Sequence, residues 1–188
     1  MLKTLIVYSH LLATCLALGS VLVMDFRLWR WRNRTPDGAM LARMRETQAI
    51  ATVSLVVLWL TGAGLVTVGY WLEGMAYLMN EKVWAKLVVV SLLTMNGVLL
   101  HRIGFPALQQ KALMSQPRSG LVLLGVLGAI STTSWLFAAF LGIARPWSHS
   151  LAVGEILAVF LAILGLAVLT AAGVSYRLGG ASSEAVPG

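Results

Sequence analysis

Apolar residues fall into five long stretches along this chain, at about 4–24, 50–71, 83–101, 120–142 and 151–174, with charged, Gly- or Pro-containing segments between them. A helix needs about 20 predominantly apolar residues to cross a hydrocarbon core. No β-barrel alternation appears, and the Gly and Ala inside the stretches suit helices. The pattern predicts an all-α fold, an integral membrane bundle of five transmembrane helices occupying residues 1–178 as one domain. Residues 179–188 are small and polar and are expected to form a disordered tail.

Composition supports the bilayer as solvent. The chain has 188 residues, 59% hydrophobic and 11% charged, whereas a soluble domain carries roughly 25% charged residues. The net charge of +7 does not point to nucleic acid, because the positive residues sit between the apolar stretches. There they act as topology signals and as contacts for anionic lipid headgroups. Cys15 is alone, which excludes an intrachain disulfide. The apolar run continues well past Leu12-Ala13-Thr14-Cys15, so the first span is expected to be retained rather than cleaved.

The segment from Asp25 to Gln48 holds Arg27, Arg30, Arg32, Arg34, Arg43 and Arg45, with Trp29 and Trp31 interleaved. Thr35-Pro36-Asp37-Gly38 is a turn signal. Beyond it, Met40, Leu41 and Met44 predict a short amphipathic helix at the membrane surface. Pro106 and Pro117 are expected to break the chain after the third span. Ten basic residues lie on the side of the arginine segment and three on the other. The positive-inside rule places the amino terminus outside and the carboxyl terminus in the cytoplasm, in a cell inner membrane.

With a rise of about 1.5 Å per residue, His10, Lys86 and Glu155 each lie within about 10 Å of the outer boundary of their helices. Ser131, Thr132, Thr133 and Ser134 fall between the midplane and the same face. His10 shares its stripe with Ala13, Ala17 and Ser20, and Glu155 with Ala158, Ala162 and Gly165. Small residues mark close helix approach, so both stripes are expected to face inward. An outward-facing polar pocket follows, with His10, Lys86 and Glu155 at its core and Ser131 and Ser134 lining it. Simpler roles also account for these residues. A lone imidazole in a span is satisfied by a hydroxyl or carbonyl on the next helix, Lys86 can snorkel to the headgroups, and Glu155 can pair with Lys86 or His10.

His10, Gly19 and Lys86 in Lys82-Val83-Trp84-Ala85-Lys86-Leu87 together resemble a superfamily of small membrane proteins that includes the CopD-like copper resistance proteins and the HemJ-type protoporphyrinogen oxidases. The Asp25-Phe26-Arg27-Leu28 ending looks like that of uncharacterised bacterial members. The resemblance covers about the first thirty residues and the third helix. It implies a b-type haem or a porphyrin on the outer side, with His10 as axial ligand to the metal and Lys86 paired with a propionate. The chain departs from the HemJ pattern in lacking its aromatic-rich stretch after the first-span His. Asp-Phe-Arg-Leu also stands where that pattern has a Pro-Arg-Leu-Phe type of sequence. These departures bear on the oxidase activity and leave tetrapyrrole binding as the expectation.

Other functions compete. Copper or another metal could be handled by His10, His149, Met75 and Met79, since thioether and imidazole suit soft metals. Proton-coupled movement of a small solute would use Glu155 and His10, although no internal repeat is evident. A structural subunit of a membrane complex, or a homo-oligomer, also fits. No P-loop, dinucleotide fingerprint, HExxH or Gly-x-Ser-x-Gly occurs.

Overall fold

Asp37 shows how local chemistry starts these helices. Its side chain accepts from the Met40 N–H at 2.8 Å, which satisfies one of the backbone donors that any helix start leaves free. In the computed structural model, which describes residues 1–144 and 146–184 apart from the side chains of Ser148, His149 and 181–184, every element is helical. Helix α1 spans Leu2–Arg30, α2 Gly38–Glu73, the short α3 Met75–Leu78 and α4 Glu81–Leu99. A π-helical turn over Leu100–Gly104 leads into α5, Phe105–Gln110. Helix α6 covers Arg118–Ile143, α7 Trp147–Ser150 and α8 Val153–Glu184. Among the described residues, five helices are long and apolar enough to cross a membrane.

Helix α6 is the axis of the bundle. About 39% of its span is buried, against 11% for those of α1, α2 and α8. Large apolar side chains such as Leu60, Leu166 and Leu169 project outward instead, as expected where lipid tails replace water. Three layers fill the interior. At the end where the chain starts, Ala85 and Val89 of α4 meet Phe137 and Leu141 of α6 and Ile156 and Phe160 of α8. In the middle, Ala13 and Ala17 of α1 lie with Leu58, Leu93 and Trp135. At the arginine-rich end, Met24 and Met44 pack against Leu108 and Leu124.

Three boundaries differ from the sequence reading. The predicted surface helix after Gly38 is the beginning of α2 itself. Met40, Met44, Thr47, Ser54 and Leu58 form one continuous buried stripe, and no breaker separates Gln48 from the apolar span. Pro106 does not stop the third span either. Proline removes an N–H and crowds the carbonyl four residues earlier; here the preceding turn widens, with the Phe105 N–H bonding the Leu100 carbonyl, and the helix continues to Gln110. A π turn relieves this conflict without ending the helix. The last helix runs on to Glu184, past the expected boundary at 178, since no proline interrupts it before Pro187. Residues 185–188, where the rest of the expected tail falls, lie outside the described residues.

The connections fix the helix ends. Gly74, at φ +64°, reverses the chain after α2, a conformation that glycine adopts without a Cβ penalty. Lys3 and Glu73 pair at 3.7 Å across the start of α1 and the end of α2. At the opposite end, the Met114 N–H donates to the Arg32 carbonyl at 2.8 Å and joins two loops.

Candidate functional site

Two polar groups stand out inside the bundle. The first lies one helical turn beyond the middle apolar layer, where His10 Nδ1 is 2.8 Å from Thr61 Oγ1. The Thr61 hydroxyl lies 2.6 Å from the Val57 carbonyl, and it has a single proton. Giving that proton to Val57 makes Nδ1–H the donor to Thr61 and leaves the Nε2 lone pair unengaged. A second-atom bond of this kind fixes the tautomer and orientation of a ligating histidine. Gly62 lies beside the ring, where an added Cβ would be 3.8 Å from Cε1.

Lys86, on α4, is within electrostatic range of both His10 and Lys82. Its ammonium makes no hydrogen bond or ion pair among the described residues. Lys82, one turn earlier, is only 9% exposed and donates to the Ala144 carbonyl at 2.9 Å. That bond satisfies the carbonyl at the end of α6 as well as the ammonium. The sequence reading placed Lys82 in a loop and did not single it out. Its position four residues before Lys86, on the same helical face, was the available signal.

Glu155 does not join His10 and Lys86. Its side chain is exposed and accepts from the Ala152 N–H at 2.9 Å, capping its own helix. Glu81 helps from α4, accepting from the Val153 N–H at 2.7 Å. A carboxylate in the first turn is better satisfied by free backbone donors and the helix dipole than by entering an apolar interior. The predicted inward stripe of α8 turns outward with it. Ala158 and Ala162 are exposed, while Ile156 and Phe160 are 0% and 1% exposed and fill the interior. On α1 the small-residue stripe does face the core, with Ala13 and Ala17 at 6% and 0% exposure. Small side chains permit close approach; they do not decide which face a neighbour will occupy.

The second polar group lies deeper and was not anticipated as a unit. Thr132 Oγ1 donates to Asp25 Oδ2 at 2.6 Å, linking α1 to α6. Asn96 of α4 is 3% exposed, and its amide donates to the Leu127 carbonyl at 3.1 Å. Ser131 and Ser134 are buried on the same stretch of α6, but neither bonds to His10 or Lys86 among the described residues. Ser134 Oγ and Asn96 Oδ1 are buried without a hydrogen-bond partner. Asp25 was legible as a charge at the end of an apolar run, but only folding shows that it faces α6.

The expected copper-type set is only partly described. Met75 and Met79 are 61% and 76% exposed, and the His149 side chain lies outside the described residues. Among the described residues, no three His, Cys, Asp or Glu side chains come together as a metal-binding group. The fold and this polar interior define an all-helical chain with five helices suited to crossing a membrane. No family model, curated protein or solved structure matches it.

Proposed function

We propose that this chain is a multi-pass inner-membrane protein, its start outside and its end in the cytoplasm, that binds haem b or a related porphyrin beside His10. The observation that carries this reading is the His10–Thr61 pair, which orients the imidazole and leaves Nε2 available. Lys86, within electrostatic range of His10 and without a hydrogen bond or ion pair among the described residues, suits a carboxylate-bearing ligand. The donor types fit one metal ligand and one propionate contact. His10 would hold the metal, Thr61 would orient His10, and Lys86 would receive a propionate. A bound haem supplies one-electron chemistry; the residues supply binding and orientation.

The test is an absorption spectrum of detergent-purified protein expressed with ample haem, oxidised and then dithionite-reduced. The expected result is a Soret band that shifts on reduction, is lost in His10→Ala and weakens in Lys86→Gln. A flat spectrum from folded protein would overturn the reading.

A second reading rests on Asp25 and Thr132. A half-buried carboxylate between two spanning helices is costly and usually functional. It supports proton- or cation-coupled movement of a small solute, with Asp25 in place of the exposed Glu155 as the exchanging group. Reconstituted protein that loses ion-driven uptake in Asp25→Asn, and keeps it in Glu155→Gln, would favour this reading over the first.

A further inference from the structure

The arginine-rich end carries a groove that is separate from both polar groups. It has a volume of about 560 Å³ and is lined by Leu22, Val23, Phe26, Arg27, Arg30, Trp31 and Arg43. Its walls change in character along its length. Leu22, Val23 and Phe26 form an exposed apolar strip on α1, and Arg27 and Arg30 follow within the last turn of the same helix. Arg43 reaches the groove from α2, so the three guanidinium groups come from both sides of the α1–α2 turn.

These cations are not matched by the protein. Arg27, Arg30 and Arg43 make no hydrogen bond or ion pair among the described residues. Of the acidic residues nearest in sequence, Asp25 bonds Thr132 and Asp37 accepts from the Met40 N–H, while Glu46, three residues after Arg43, forms no ion pair with it among the described residues. By contrast, the neighbouring Arg32 stacks on Trp29 at 4.8 Å and donates to its carbonyl, and Arg45 donates to the Leu41 carbonyl at 3.4 Å. Three unmatched guanidinium groups at one groove, next to an apolar strip, are the complement of an amphiphilic anion. Guanidinium forks suit phosphate oxygens, and the strip suits a hydrocarbon chain.

We propose that this groove is a discrete site for one anionic glycerophospholipid, with its phosphodiester among Arg27, Arg30 and Arg43 and an acyl chain along Leu22, Val23 and Phe26. The lipid would seal the α1–α2 turn at the membrane surface and neutralise charges that otherwise repel one another. Its selectivity follows from charge: each arginine near a membrane surface adds about fivefold to anionic-lipid affinity.

Native mass spectrometry of the full chain, released from detergent with added phosphatidylglycerol or phosphatidylcholine, tests the site. One retained phosphatidylglycerol is expected, with phosphatidylcholine bound much more weakly. Replacing all three arginines (Arg27→Gln, Arg30→Gln, Arg43→Gln) should lower phosphatidylglycerol affinity by about a hundredfold, while Arg102→Gln should leave it unchanged. Phe26→Ala should weaken long-chain phosphatidylglycerol more than a short-chain analogue. Equal retention of the two lipids, equal binding by the triple variant, or displacement of phosphatidylglycerol by millimolar inorganic phosphate would each overturn the proposal. The last result would mark a simple phosphate site.

Discussion

At Gly125 helix α6 packs closely on α8, which allows a sharp test of the packing. A Cβ added there would sit 2.5 Å from Ser175 Oγ, 3.5 Å from Ser175 Cβ and 3.4 Å from the Ala171 carbonyl oxygen. Only the first distance is too short, and it involves the end of a short side chain rather than the backbone. Gly125→Ala must therefore turn the Ser175 hydroxyl aside or push α8 away from α6. Overpacking of this kind costs about 1–3 kcal/mol. In a Ser175→Ala background the offending oxygen is gone, and the remaining contacts are ordinary van der Waals distances. The same glycine substitution should then cost close to nothing, a coupling of about 1–3 kcal/mol between the two sites. Reversible unfolding in mixed micelles, followed by helical circular dichroism, would provide all four corners of the cycle. An identical cost in both backgrounds would refute the reasoning, because the close approach would then not involve the Ser175 hydroxyl.

Three further outcomes are expected. Thr132→Val should cost about 1–3 kcal/mol by removing the donor to Asp25, and close to nothing in an Asp25→Ala background; a cost independent of Asp25 would mean that the pair is not formed. Ser134→Ala should be neutral or slightly stabilising, since the buried hydroxyl it deletes has no partner, whereas a loss above about 1 kcal/mol would reveal a bound group there. Thr61→Val should cost about 1 kcal/mol and shift the His10 Nδ1 resonance in nitrogen NMR spectra; an unmoved resonance would separate His10 from Thr61.

The candidate site was partly legible in the sequence. His10 and Lys86 are conspicuous because charged or titratable groups are rare in such spans, and equal counting from their helix starts puts them at similar depth. Thr61 was not, since a threonine among apolar residues can bond its own helix, as Thr67 and Thr94 do. Glu155 misled because its small-residue stripe resembles an inward face, when the start of α8 offered the carboxylate free backbone donors.

The amino-acid sequence alone determined the helical class, the number of long apolar helices and the concentration of arginine at one end. These follow from runs of side-chain chemistry that are local in the chain. Which face of each helix turns inward was decided by the tertiary structure, because that depends on neighbours far away in sequence. The pairing of Asp25 with Thr132 spans 107 positions, and that of Lys82 with Ala144 spans 62. Similarly, Arg27 and Arg43 share a groove only because α1 and α2 fold back on each other. A helix's periodicity gives the angle of each side chain about its axis, but only packing sets where that axis stands and how it is turned.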